Sequence, residues 1–409
     1  MRILFVHQNF PAQYRHLAPA LAQRGHEVHA LAIHQQPALP GVTLHRYRVK
    51  GGTSKHIHPW ASEIETKVLR GEACARAALQ LRDSGFAPDV ICAHPGWGEA
   101  LFLREVWPQA RQLHFVEFFY SPAGQDVGFD PEFGPQGFDL CCRVRMKNAN
   151  SLLNLDLMDR GVSPTHWQRS TVPLEYQAAI SVIHDGIDTS LACPDPAARF
   201  SWNAEDGRKL EVRAGDEVLT FVNRNLEPNR GYHIFMRALP TLLARHPKLQ
   251  VLIVGGDDVS YGARPAGATH KDRFLAEVSA RIDRARVHFL GRVPYGRYLK
   301  MLQVSAAHVY LTYPFVLSWS MLEAMSAGCY VVGSRTAPVE EVIVDGRNGT
   351  LVDFFSSPQI ADAVSAALEN PASVADLRRH ARQTVVEGYD LQSRCLPQQI
   401  KLVEAMNSE

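Results

Sequence analysis

Two arginines six residues apart, Arg224 and Arg230 in "VNRNLEPNRG", follow a strand-like run and precede a helical pattern that contains Ile234 and Phe235. A strand-end loop with two guanidinium groups suits an anion, and each charge-assisted hydrogen bond to a phosphate would contribute roughly 1.5–3 kcal/mol. A loop that merely solvates both charges explains the spacing equally well. A second anion signal lies in "PFVLSWSMLEAMSAG", where Ser318, Trp319 and Ser320 open the helical pattern of Met321, Leu322, Ala324 and Met325. Unpaired N–H groups with the helix dipole behind them make such a start an anion site. Ser320-x-x-Glu323 also reads as a capping box, which requires no ligand and competes for the Glu323 carboxylate. Asp257 and Asp258 in "GGDD" read more simply as a solvated turn than as metal ligands, and His56 and His58 as a polar loop. The first loop, "HQNFPAQ", has no glycine, which disfavours a dinucleotide-binding dehydrogenase, and "GGDD" lacks the Lys-Ser/Thr of a phosphate-binding P-loop.

The elements that must position these residues alternate between short β-rich runs and helical patterns. "RILFV" precedes a helix expected from Tyr14 to Arg24, which Gly25 stops, and "EVHALAI" and "TLHRYRV" are further strands. A long helix is expected from Glu63 to Arg82, followed by strands "DVICAH", "QLHFVEF", "SLLNL" and "AAISVIH". The pattern restarts with "EVLTFVN", "LQVLIVGG", "RVHFLG", "AHVYLTY" and "CYVVGS". Such alternation implies parallel sheets covered on both faces, here an α/β chain of two Rossmann-like, doubly wound domains. The Gly-, Pro- and Asp-rich stretch from His184 to Asp216 reads as the connection between them. The expected division is 1–185, 186–385 and a helical tail over 386–409 that packs back on the first domain. Ligands of open α/β sheets bind off the carboxyl ends of the strands, so the expected site is a cleft between two sets of strand ends.

Composition narrows the classes. The chain has 409 residues, 46% hydrophobic and 21% charged, and a formal net charge of +1, so nothing in it calls for a nucleic-acid partner. Seven cysteines without a CxxC spacing read as reduced thiols rather than a disulfide framework. "MRILFVHQNF" reaches His7 and Gln8 too soon for a signal peptide, and no apolar stretch is long enough to span a bilayer. The expected location is the cytoplasm. "CCRVRMKN", with Arg143, Arg145 and Lys147 beside apolar neighbours, allows peripheral contact with the inner membrane face.

In combination, "VNRNLEPNRG", "LIVGGDD", "VHFLGRVP", "HVYLTYPFVLSWSMLEAMSAGCYVVGS" and "APVEEVIVDGRNGTLV" resemble the retaining nucleotide-sugar glycosyltransferases of family four, which have the GT-B fold. "MRILFVHQNFPAQYRHLAPALAQRGHEV" is similar to that family's opening, and "VIHDGID" to the segment leading into its second domain. The resemblance runs from Met1 to about Val385. It implies that Arg224 and Arg230 hold the donor diphosphate, the second standing where the family has lysine. Gly291, Arg292 and Val293 would face the base, Glu323 the ribose hydroxyls, and Ser318, Trp319, Ser320 and Met321 would offer backbone donors to the phosphates. Gly255 would lie on the same donor side. The first glutamate of the family's E-x7-E motif is replaced by Phe315, where the carboxylate would meet the donor sugar. On the acceptor side, Asn9, Phe10 and Pro11 replace a glycine-rich loop, and His94 or Glu117 would stand in for the family's histidine. The implied activity is hexosyl transfer from a UDP-sugar, or a GDP-sugar, to a glycan, lipid-linked or protein acceptor, with no metal and no cofactor. The same fold also serves sugar-nucleotide epimerases, and Phe315 keeps a non-catalytic sugar-nucleotide-binding module open.

Overall fold

Arg2–Val6 (β1) has a single wet position at its start and then four consecutive buried residues. Ile3 and Phe5 pack on one face with Phe10, Tyr14, Leu17 and Leu21, whereas Leu4 and Val6 pack on the other with Cys74, Ala78, Leu81 and Trp107. A strand covered on both faces has no polar alternation to display, which is why it reads as an unbroken apolar run. The computed structural model describes residues 1–34, 37–133, 137–204, 207–262 and 264–407. They form two compact units, Met1–Gly186 with Gln392–Glu409, and Ile187–Leu391.

The first unit places β1 beside Glu27–Ala32 (β2), Val42–Arg46 (β3), Val90–Ala93 (β4), Arg111–Phe115 (β5), Arg160–Ser163 (β6) and Ile180–Val182 (β7). The order is β3-β2-β1-β4-β5-β6-β7, and every neighbouring pair is parallel. The closing helix, Leu396–Ala405, packs on Leu17–Gln23, and Glu404 accepts from Arg24 at 2.7 Å and meets His26 at 3.0 Å.

The second unit opens with an antiparallel pair, Arg199–Asn203 (β8) and Lys209–Arg213 (β9). Its six-stranded parallel sheet comprises Val218–Asn225 (β10), Gln250–Gly256 (β11), Val287–Gly291 (β12), Ala307–Tyr310 (β13), Tyr330–Ser334 (β14) and Thr350–Val352 (β15). The order is β12-β11-β10-β13-β14-β15. Each sheet therefore reverses its winding once, between β1 and β4 and between β10 and β13. Both faces of both sheets are covered by helices, the α/β architecture the alternation implies.

Four expectations need correction. "SLLNL" is not a strand: Ser151 to Leu155 lie inside the helix Phe138–Leu157, which buries Val144, Asn148 and Leu155 at helical spacing and leaves Leu152 and Leu153 exposed. The strand of that region is β6. The helix expected from Tyr14 to Arg24 splits into a 3-10 turn, Ala12–Arg15, and Leu17–Gln23; Pro19 has no N–H to return to Arg15 and its ring would crowd that carbonyl. The polar connection holds β8 and β9, whose Phe200, Trp202 and Val212 lie in the core of the second unit. Residues 386–391, expected in the tail, also belong to that unit. Ala381 and Val385 sit in its core, Ile187 N donates to the Tyr389 carbonyl at 2.8 Å, and Leu391 N donates to the Ile187 carbonyl at 2.9 Å. Among the described residues no helix is long and apolar enough to cross a membrane.

Candidate functional site

Adjacent strands whose connections leave in opposite directions open a crevice at their carboxyl ends. In the second unit that position lies beyond β10 and β13. The β10–β11 register shifts between Val222 and Asn225, which turns Arg224 outward. Arg224 is exposed and has no hydrogen-bond or ion-pair partner among the described residues. Arg230 is its opposite: 6% exposed, with Nη1 donating to Thr312 Oγ1 at 2.7 Å, to the Val316 carbonyl at 2.9 Å and to the Tyr310 hydroxyl at 3.4 Å. The guanidinium lies over the rings of Tyr261 and Phe315, at 5.2 and 5.8 Å. It ties together the whole turn between β13 and the next helix. The following residue, Gly231, has φ +68°, and a Cβ there would come within 2.3 Å of Leu311. Only glycine lets the two strand-end loops approach so closely.

Glu227, fully buried between the arginines, was not singled out from sequence. Its carboxylate accepts the backbone N–H groups of Ser260, Tyr261 and Gly262 at 3.1–3.3 Å and so holds that loop over β10. The loop presents Tyr261 to Phe315, with ring centroids 5.0 Å apart. The position expected to carry a sugar-binding carboxylate is thus a buried aromatic contact beneath Tyr261. The signal available in sequence was a lone acid before Pro228, too common a pattern to single out.

The helix Trp319–Ser326 is capped by Ser318, whose Oγ accepts from Ser320 N at 3.4 Å. Ser318 N donates to the Tyr310 hydroxyl at 2.8 Å, and Met321 N to the Ser318 carbonyl at 3.3 Å. Three of the amides expected to await a phosphate therefore have partners within the chain. The Ser320–Glu323 capping box is also corrected. With Ser318 as the cap, Glu323 stands two positions too late to reach back. Its carboxylate turns aside instead and accepts from the hydroxyls of Tyr295 and Tyr298, each at 2.8 Å. Burial and the Glu323 charge push the Tyr298 phenol far up, so it remains a proton donor. Neither tyrosine was anticipated; both belong to the helix Tyr295–Gln303, and sequence alone gives no contact between it and Glu323.

Gly255 earns its place through packing, since a Cβ would meet Leu226 at 2.7 Å. Gly291 ends β12 at φ +62°, and Val293 packs against the core. The Arg292 guanidinium lies along Gly256, beside a cavity of about 610 Å3 that is also lined by Asp257, Asp258, Arg264 and Thr269. Those aspartates pair with cations, Asp258 with Arg264 and Asp257 with Lys271 at 3.5 Å. Among the described residues no three His, Cys, Asp or Glu side chains gather as a metal site, and His56 and His58 do not form one.

In the first unit the reversal of winding brings His7, at the end of β1, beside His94, at the end of β4, with ring centroids 5.3 Å apart. Each ring accepts a backbone N–H on Nδ1, from Asn9 at 2.9 Å and from Gly96 at 3.2 Å. In the neutral form the proton of each therefore sits on Nε2. His94 is sandwiched between Trp97 and Phe115, and its Nε2 lies 3.6 Å from a Glu117 carboxylate oxygen. Burial, reinforced by His94, lowers the His7 pKa to about 3. Asn9 thus serves through its backbone, whereas His94 and Glu117 meet each other as a base and carboxylate pair. His7 is the partner that sequence did not supply.

Residues 24–192 match the model described as the glycosyl transferase family 4 group, and residues 203–384 the model described as glycosyl transferases group 1. The chain is 25% identical over 426 residues to a glycogen synthase of Mycobacterium tuberculosis, covering 96% of this chain and 92% of that protein. It is 29% identical over 389 residues to D-inositol 3-phosphate glycosyltransferase 2 of Catenulispora acidiphila, covering 89% and 83%. In structure it is similar to HepE of Anabaena in complex with UDP-glucose, with TM-score 0.68, 16% identity and full coverage of both chains.

Proposed function

We propose that this chain, which belongs to the family 4 group of glycosyltransferases and is a glycosyltransferase, moves a sugar from a nucleoside diphosphate to an acceptor hydroxyl with retention of configuration and without a metal ion. The acceptor is a glycan or a lipid-linked or protein-borne group. UDP is the favoured nucleotide, a choice supported by the UDP-glucose bound in HepE. The observation that carries the reading is the contrast at and after the end of β10: Arg224 is exposed and unpartnered among the described residues, and Arg230, six residues on, is buried.

In this reading Arg224 swings onto the diphosphate and Arg230 supplies a fixed positive field from beneath the 312–318 turn. Charge on the leaving diphosphate is stabilised by these guanidinium groups. The helix that starts at Trp319 adds only ~0.3–2 kcal/mol, and its amides at Ser318, Ser320 and Met321 must exchange partners to contribute. Glu323, set by two tyrosines, receives the ribose hydroxyls, and the Gly291–Val293 edge receives the base. Phe315 and Tyr261 give the donor sugar an aromatic neighbour in place of a carboxylate. His94 and Glu117 handle the proton of the acceptor hydroxyl. Exposed Phe138 and Leu140, with Arg143 and Arg145 on the same helix, supply the segment assigned to peripheral membrane contact.

The test is nucleotide release from UDP-glucose and GDP-mannose with a panel of acceptors, the product anomer being read by NMR. Arg224→Ala should lower kcat/KM by about 30-fold or more, the worth of one charge-assisted bond of about 2 kcal/mol. Thermal stability should not change, because that side chain has no partner to lose. Undiminished turnover would remove Arg224 from the mechanism, and a chelator that stops turnover would refute metal independence. A wild-type chain that releases neither nucleotide overturns the reading.

A further inference from the structure

The loop after β11 keeps little of its polar capacity free for a ligand. Ser260, Tyr261 and Gly262 aim three consecutive amides at the Glu227 carboxylate, at 3.1–3.3 Å. Successive N–H groups that converge in this way make a concavity suited to an anion such as phosphate. Here the chain's own acid fills it. The Ser260 hydroxyl is taken as well, since it accepts from Asn225 Nδ2 at 2.7 Å. Gly262 runs so close to the turn below that a Cβ there would lie 3.0 Å from Asn229 Oδ1. Asn225, Glu227 and Asn229 all belong to the stretch "NLEPN" at the end of β10, which therefore grips the loop at each of its three residues.

The Tyr261 side chain is what the loop still offers. It is 41% exposed, whereas its neighbours Arg230 and Phe315 are buried. The Phe315 ring lies 5.0 Å from it, centroid to centroid, and the Arg230 guanidinium 5.2 Å from its centroid. The ring is not needed to anchor the loop, which is already fixed through polar groups from beneath. Taking the Glu227 carboxylate out of water and ordering a loop around it is unfavourable by itself. The result is a large aromatic ring held in one place, beside the cations of the donor crevice, with much of its surface in water.

The groups around the ring narrow what can cover it. Thr312 and the Val316 carbonyl are committed to Arg230. The position where a carboxylate would accept a sugar hydroxyl is Phe315, and Glu227 is fully buried under its three amides. An aromatic surface gains instead by covering C–H groups. A pyranose has such a surface, because its axial C–H bonds lie on its faces while the equatorial hydroxyls lie around its rim.

We propose that Tyr261 is the platform on which the C–H face of the donor pyranose rests, and that Glu227 is the residue that positions it. The platform rests on the donor reading above; to it are added the surface that meets the sugar and the acid that sets that surface.

Isothermal titration of the full-length chain with UDP and UDP-glucose, and with GDP and GDP-mannose, tests both parts. Tyr261→Ala should weaken the nucleotide sugar about tenfold, the equivalent of roughly 50 Å2 of apolar surface left uncovered, and leave the bare nucleotide unchanged. Tyr261→Phe should bind as the wild type does, because the ring and not the hydroxyl is the platform. Glu227→Gln leaves one carbonyl oxygen for three amides. It should weaken the nucleotide sugar about threefold and again leave the nucleotide unchanged. A merely structural role for Glu227 would weaken both alike. In the double variant with Tyr261→Ala the effect of Glu227→Gln should vanish, since no ring is left to position. Should Glu227→Gln not fold, Ser260→Ala, which releases only the tie to Asn225, is read in the same way. A Tyr261→Ala variant that binds the nucleotide sugar as the wild type does, or loses nucleotide and nucleotide sugar equally, overturns the platform and leaves the donor reading standing. Additive losses in the double variant overturn the positioning role of Glu227. A wild type that binds neither UDP nor GDP fails the donor reading itself, and the platform with it.

Discussion

The two strand-end sites treat charge in opposite ways. Beyond β10 and β13, Arg230, Glu227 and Glu323 are buried and each is bonded to the protein: to Thr312 and the Val316 carbonyl, to three loop amides, and to two phenols. Beyond β1 and β4, the Nε2 atoms of His7 and His94 and both oxygens of Glu99 are buried without hydrogen bonds. A fully bonded polar network is rigid and presents one geometry. An unsatisfied one holds free energy that a ligand can release. Exposed Arg224 and the unpartnered Oδ1 of Asn225 apart, the second site is thus prepared for a ligand of fixed form, which suits a nucleoside diphosphate. The first is left to be completed by what it binds.

The largest test of this contrast is acid. Burial lowers His7 to about 3 and His114 and His184 to about 4 in the first unit, against His308 alone, to about 3, in the second. A histidine depressed in the folded state stabilises it above about pH 6.5, and that contribution fades as pH falls toward the folded value. Between pH 6.5 and 5 each loses about 2 kcal/mol, so the first unit should weaken by ~6 kcal/mol and the second by ~2. Hydrogen exchange followed by mass spectrometry across that range should show β1, β4 and β5 opening before β10 and β13; simultaneous opening would refute the asymmetry.

Next in size is Arg230→Ala. It removes two short charge-assisted bonds and strands Thr312 and the Val316 carbonyl, at a cost of about 3 kcal/mol or more in urea unfolding. A variant as stable as the wild type would show that the turn stands without it. In the first unit Lys147→Met removes no hydrogen bond, only the cation–π contact of Nζ 3.6 Å over the Tyr120 ring, and should cost about 1 kcal/mol or less. Smallest is Tyr298→Phe, which deprives Glu323 of one donor and should lower stability by about 1 kcal/mol while raising KM for the donor more than it lowers kcat. An equal fall in kcat and kcat/KM would place Glu323 in the transition state rather than in ground-state binding.

Much of the architecture was legible because it depends on local pattern. Apolar runs such as "RILFV" and "LQVLIVGG" become strands wherever both faces are covered, and the break at Gly25 follows from its φ of +87°. "SLLNL" misled because five residues without turn signals fit either period; the helix around it prevails through Val144, Asn148 and Leu155 on one face. The hairpin of β8 and β9 was hidden by its polar, Gly-rich surroundings, although Phe200 and Trp202 carried the signal. Arg224 and Arg230 were legible as a pair of cations, but nothing in their spacing shows that one is exposed and the other enclosed.

By itself the sequence determined the period of each element, the alternation of strands and helices in two runs, and the residue types at the strand ends, since these follow from nearest-neighbour geometry and from burial of apolar side chains. Tertiary structure alone decided which polar groups find partners. Glu323 could have capped its own helix, yet Tyr295 and Tyr298, more than twenty residues earlier, claim it. Lys67 and Lys147, eighty residues apart, come within electrostatic reach of the same acid, Glu63. A hydrogen bond acts over about 3 Å and is blind to chain distance, so its assignment waits until the fold has set every donor beside its acceptor.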